Sequence, residues 1–101
     1  MGFTEKLQSR REATGAILCV GLDPYVSKMS KACRKSPRPL YDFCIAIVNA
    51  TRDVACAFKP NLAFFEAYGS SGVSQLEQLL SEIPSDIPTV LDGKRGDIGN
   101  T

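Results

Sequence analysis

The residues best suited to chemistry lie together in Asp92-Gly93-Lys94-Arg95-Gly96-Asp97-Ile98-Gly99-Asn100-Thr101. Lys94 stands between two aspartates, Asp92 and Asp97, and glycines break up the backbone around it. The short run Thr89-Val90-Leu91 leads straight into Asp92. Alternation along a strand puts Val90, Asp92 and Lys94 on one face. If that face looks into a closed sheet, a carboxylate and an ammonium are confined side by side. The chemistry open to such a pair is electrostatic, and burying it is costly unless the charges are paired and hydrogen-bonded. The plain alternative is a solvated loop with a surface ion pair, which contributes little. The segment alone does not separate the two.

The elements that would position these residues alternate between two periods. A helix is expected over residues 3 to 12, with Phe3 and Leu7 on one face, Thr4 as cap and Gly15 as stop. Ala16-Ile17-Leu18-Cys19-Val20 is an unbroken apolar run, as in a central parallel strand buried on both faces, and Asp23 falls where it ends. Residues 25 to 39 form a polar, basic connection, longer than a purely structural loop requires. From Leu40 the apolar positions Phe43, Cys44, Ile47, Val48, Thr51, Val54 and Ala55 make one helical stripe. A second strand, 55 to 61, carries Lys59 at its exit and then Pro60. A short helical turn over 63 to 68 closes at Gly69. A further helix, 71 to 83, turns Val73, Leu76, Leu79, Leu80 and Ile83 inward, and a third strand runs from Thr89 to Asp92.

Strand, helix, strand, helix, strand implies an α/β fold with a parallel sheet and right-handed crossovers. Each strand ends on a polar or charged group: Asp23, then Lys59, then Asp92 with Lys94. Functional side chains gather at these carboxyl ends in a (β/α)8 barrel. A doubly wound sheet is the other option, but no Gly-x-Gly-x-x-Gly follows the first strand, which disfavours a dinucleotide site.

Composition narrows the class. The chain has 101 residues, 44% of them hydrophobic, and a net charge of +1. It is one domain or part of one, with no basic surplus to suggest nucleic acid. Its apolar runs are too short to span a bilayer, and Met1-Gly2-Phe3 begins neither a signal peptide nor a myristoylation signal, so the expected compartment is the cytoplasm. Cys19, Cys33, Cys44 and Cys56 are unevenly spaced, which favours neither a disulfide framework nor a zinc site. The chain has no histidine, so it holds no His-based triad and lacks the commonest zinc and iron ligand. Arg95-Gly96-Asp97 spells an adhesion tripeptide and Asn49-Ala50-Thr51 a glycosylation sequon; both read as coincidences in a chain with no export signal.

Val20-Gly21-Leu22-Asp23-Pro24, Lys59-Pro60-Asn61 with Ala63-Phe64-Phe65-Glu66, and the segment from Asp92 to Thr101 together resemble the orotidine 5′-phosphate decarboxylase family. The wording looks most like its bacterial-type subgroup with longer chains. The resemblance implies a homodimeric (β/α)8 barrel that converts orotidine 5′-phosphate to UMP without metal or organic cofactor. It implies that Asp23 holds a ribose hydroxyl, and that Lys59 contacts the ribose within a charge array shared with Asp92 and Lys94. Lys94 would stabilise the C6 carbanion and then protonate it, while Asp92 lies near the substrate carboxylate. Asp97, Ile98 and Thr101 would reach into the site of the other subunit.

On this reading residues 1–101 are the N-terminal portion, about three βα units, of one barrel domain that needs about 250 residues. The phosphate- and pyrimidine-binding elements of the family are expected from later strands. The 101-residue chain alone is expected to be unstable and inactive, with open sheet edges and uncovered apolar faces. Two alternatives stand beside it. One is a metal-dependent keto-sugar phosphate decarboxylase of the same superfamily, sharing Asp-x-Lys-x-x-Asp. The other is a non-catalytic fragment that only associates with intact subunits.

Overall fold

The computed structural model describes residues 2–15 and 18–93. Two strands, β1 (Cys19–Leu22) and β2 (Ala57–Pro60), pair in parallel from Cys19↔Ala57 to Leu22↔Pro60. Residues 88–92 follow the other edge of β2. Phe58 N–H donates to the Pro88 carbonyl at 3.0 Å, and Val90 N–H to the Phe58 carbonyl at 2.9 Å. Asp92 N–H reaches the Pro60 carbonyl at 2.9 Å, and Leu62 N–H the Asp92 carbonyl at 3.0 Å.

The expected continuous third strand is therefore present as two isolated parallel bridges, Phe58↔Thr89 and Asn61↔Asp92. Pro60 is the cause. In this register the nitrogen of residue 60 would donate to the Val90 carbonyl, and proline has no hydrogen to give. The ladder skips one rung and resumes.

Helices cover one face of the sheet. Between β1 and β2 lie α2 (Lys31–Arg34) and α3 (Pro39–Thr51); between β2 and the third track lie α4 (Leu62–Glu66) and α5 (Gly69–Glu82). The core joins Leu22 and Phe58 of the sheet to Leu40, Cys44 and Val48 of α3, Phe65 of α4, and Leu76 and Leu79 of α5. Within α3 the buried positions step by four, as the apolar stripe requires. The helix ends at Thr51, four residues short of the expected reach to Ala55, and the turn that follows leaves Val54 exposed.

Helix α5 corrects the expected inward set. Leu76, Leu79 and Ile83 are buried, but Val73 is exposed, and the positions that complete the buried line are Gly72 and Gln75. Gly72 sits where any Cβ would overlap the Phe65 carbonyl, so α4 and α5 touch through backbone. Gln75 accepts the Tyr41 N–H at 3.0 Å and donates to Ser71 Oγ at 3.2 Å. Tyr41 lies in the first turn of α3, where N–H groups have no intrahelical partner. A side chain on one helix thus satisfies the buried start of another.

Other boundaries also shift. Helix α1 spans Phe3–Thr14; its cap is Gly2, whose N–H donates to Glu5 Oε1 at 2.8 Å, in place of Thr4. None of its side chains is buried. Arg10 holds it instead, donating to the carbonyls of Arg52 (2.6 Å) and Ala55 (3.1 and 3.2 Å) and pairing with Asp86 at 3.5 Å. Gly15 ends the helix with φ 70°, a conformation only glycine adopts cheaply. Of the expected strand, Ala16 and Ile17 lie outside the described residues; β1 itself runs Cys19–Leu22, and of its described stretch Leu18 and Cys19 are exposed while Leu22 is fully buried. Among the described residues it pairs with β2 alone and so lies at the edge of the sheet. The connection over 25–39 is more ordered than a loop. It contains a 3-10 turn (Val26–Lys28) and α2, because Met29 anchors it in the core and Ser30 caps the helix through the Cys33 N–H.

Cys44 and Cys56 are buried and Cys19 is exposed. Burial, reinforced by the negative charge of Asp23, pushes the Cys44 thiol from 9.0 up to about 12.

Three outcomes are expected. Gln75→Leu strands the Tyr41 N–H in the core and lowers stability by about 1–3 kcal/mol in urea titrations. Gly72→Ala forces α4 from α5 and costs about 1–3 kcal/mol or more. The Cys44 thiol stays protonated in the folded state between pH 9 and 12, whereas the unfolded chain loses that proton. Its contribution is therefore complete below pH 9 and declines above it, by at most about 1.4 kcal/mol per pH unit. Urea midpoints measured from pH 8 to 10.5 should fall more steeply for the native sequence than for Cys44→Ala.

Candidate active site

Asp23 is the first residue beyond β1. Since Leu22 pairs with Pro60, Asp23 stands beside Asn61, and Asn61 is bridged to Asp92. Asp23, Asn61 and Asp92 thus form a row across the carboxyl ends of the three tracks, each about 4.8 Å from the next. Alternation gives the same face Gly21 and Lys59, while Val20, Leu22, Phe58 and Pro60 point to the helices. Burial agrees with this division. Gly21 and Lys59 are exposed and Asp23 and Asp92 half-buried, whereas Leu22, Phe58 and Pro60 have no or almost no exposure.

Backbone hydrogen bonds hold the row. Asn61 N–H donates to the Leu22 carbonyl at 3.2 Å, just before Asp23, and Asp92 is bonded through both its N–H and its carbonyl. The Asp23 carboxylate leans back over Gly21, one oxygen lying 3.6 Å from where a Cβ would stand. Asn61 caps α4, its Oδ1 accepting the Ala63 N–H at 3.2 Å. That contact assigns the amide: the nitrogen, with two donors, faces away from the helix. Lys59 lies two residues earlier on β2, about 6.6 Å down the strand, a distance its flexible stem can span. The face therefore gathers two carboxylates, one ammonium and one amide on a rigid sheet.

A pocket of about 360 Å³ adjoins the row, lined by Pro24, Tyr25 and Val26 after β1 and by Ala63, Phe64 and Tyr68 after β2. Tyr25 meets Phe64 edge to face at 4.5 Å, which fixes the two strand-end loops together. Among the described residues no three His, Cys, Asp or Glu side chains are grouped to hold a metal ion, and no helix is long and apolar enough to cross a membrane.

Of the site residues expected from sequence, the structure brings Asp23, Lys59 and Asp92 onto one face. Lys59 is the last residue but one of β2, at the strand's exit. Lys94, Asp97, Ile98 and Thr101 lie outside the described residues. Asn61 was part of a motif without a place in the site; its spacing of two from Lys59 already put both on one face.

Comparison with known proteins bears on this arrangement. Residues 16–101 match the family model described as orotidine 5′-phosphate decarboxylase / HUMPS family. A relative from Leptospira interrogans named orotidine 5′-phosphate decarboxylase is 45% identical over 104 residues, covering 100% of this chain and 38% of its own length. Another of that name, from Roseiflexus castenholzii, is 48% identical over 101 residues, covering 100% of this chain and 37% of its own. The chain thus spans less than two fifths of the curated relatives it matches. A solved structure from Toxoplasma gondii, described as an orotidine-monophosphate decarboxylase, superposes with a TM-score of 0.83 at 41% identity, covering 94% of this chain and 32% of that one. The alternating strands and helices described above are accordingly those of the N-terminal part of a (β/α)8 barrel. With a match that runs from before β1 through the whole charged segment, the chain belongs to the orotidine 5′-phosphate decarboxylase / HUMPS family.

Proposed function

We propose that the protein carrying this chain decarboxylates orotidine 5′-phosphate to UMP, with no metal or organic cofactor. The observation that carries this reading is the alignment of Asp23, Lys59 and Asp92 on one face at the strand ends, in a chain whose curated relatives bear that name. Loss of carbon dioxide from the pyrimidine leaves an electron pair at C6. A cation fixed beside that carbon interacts with charge that develops only as the bond breaks, so it lowers the barrier without tightening the ground state equally. Lys94 has this role and then supplies the proton to C6.

Asp92 holds Lys94 charged and oriented, and its carboxylate beside that of the substrate favours departure of the latter. A lone lysine drawn into a closed site would tend to lose its proton, and flanking carboxylates oppose this. Lys59 extends the alternation of charge and, with Asp23, engages the ribose hydroxyls. Asp97, Ile98 and Thr101 serve the site of a second subunit, so the working unit is a homodimer.

Decarboxylation of orotidine 5′-phosphate by the protein carrying this chain tests the proposal. Lys94→Ala should lower kcat by at least about 10³-fold, the upper range for removing one preorganised charge-stabilising group, with an unchanged circular dichroism spectrum. Turnover should persist in EDTA, which separates this chemistry from a metal-dependent keto-sugar phosphate decarboxylase. Near-normal turnover by Lys94→Ala would overturn the assignment.

A further inference from the structure

The connection between β1 and α3 carries a charge pattern for which the proposed reaction gives no reason. Lys28, Lys31, Arg34, Lys35 and Arg38 follow one another within it, all exposed. No carboxylate occurs between Asp23 and Asp42, and Asp42 is engaged by the Ser36 hydroxyl. The rest of the chain holds seven cations against eleven carboxylates, so the near-neutral total conceals a strong local excess.

Its position is defined at both ends. The connection leaves the sheet at Asp23, and the Lys28 ammonium sits 5.2 Å from the centre of the Tyr25 ring, which contacts Phe64 beside the row. At the far end the Cys33 thiol donates to the Pro39 carbonyl at 3.5 Å, and Arg38 stacks on Tyr41 at 4.6 Å while bonding Gln78. Pro39 opens α3, and a helix that returns a chain between parallel strands starts at the end where the first strand stops. The five cations therefore rim the carboxyl ends of the strands. Lys31, Arg34 and Lys35 have no carboxylate within ion-pair distance among the described residues; the ion pair found there, Arg10–Asp86, lies at the other end of the sheet.

We infer that this connection is an electrostatic collar that draws the phosphorylated substrate to the site, an inference that rests on the function proposed above. Among the described residues the row presents Asp23 and Asp92 against Lys59 alone, a poor reception for a ligand bearing a phosphate and a carboxylate. Exposed cations act over a Debye length of about 8–10 Å, enough to reverse the field at the mouth. Such fields raise association rates by about 10- to 10³-fold, most at low ionic strength. The collar acts on arrival and not on the bond-breaking step.

The test compares the protein carrying this chain with a Lys31→Glu/Arg34→Glu/Lys35→Glu variant, at low and high salt. For orotidine 5′-phosphate, kcat/KM of the variant should fall about 10-fold at low salt, with kcat and the circular dichroism spectrum unchanged. The native decline of kcat/KM with salt should flatten, and the nucleoside lacking the phosphate should show a much smaller difference. Equal kcat/KM and equal salt dependence in the two proteins would overturn the collar while leaving the decarboxylase reading intact. Unchanged kinetics with lost retention on heparin would likewise overturn it, assigning the patch to a polyanionic partner. A native protein that does not turn over orotidine 5′-phosphate overturns the underlying reading and this inference with it.

Discussion

The register of β2 against its two neighbours is the constraint on which the rest depends. Parallel pairing with β1 sets Asp23 beside Asn61, and the bridge on the other edge sets Asn61 beside Asp92. A slip of one residue in either pairing would turn one acidic side chain toward the helices and remove it from the row. The register is secured mainly from the buried side. Phe58 and Leu22 are wholly buried in the core they share with α3, α4 and α5, so the apolar layer decides which side chains are left for the open face. Site and core are two sides of one sheet.

The interruption at Pro60 belongs to the same logic. The missing rung leaves the third track tied at Phe58 and again at Asp92, with the second tie on the residue that carries the charge. The position of Asp92 is thus set by main-chain bonds on both sides of the residue, independently of what its carboxylate meets.

Much of this was legible in the sequence, and the failures share a cause. Asp23 at the end of a strand, the stripe through Leu40, Cys44 and Val48, and the stop at Gly15 all follow from local chemistry, and local chemistry is visible in a linear sequence; Gly69, expected to close the turn before it, instead opens α5. Gly72 and Gln75 were passed over because their burial depends on another element: a carbonyl of α4 for one, an unpaired N–H of α3 for the other. Val73 looked inward because it is large and apolar, yet one step from Gly72 rotates it about 100° away. The third strand was placed correctly, but only pairing could reveal that a proline on the neighbouring strand breaks it. In the site, the residue types pointed to Asp23, Lys59 and Asp92, whereas the place of Asn61 between two carboxylates needed the register.

Arg10 sets a different kind of boundary. Helix α1 buries none of its side chains, so the apolar term that holds α3 and α5 does not hold it. A single guanidinium spans the end of α3, the turn before β2 and Asp86 ahead of the third track. The helix is a latch and the layers beneath it are the door: its opening breaks a few polar contacts and leaves the apolar interior closed. Such a segment exchanges its amide hydrogens through local opening, at a free energy well below that of the whole fold.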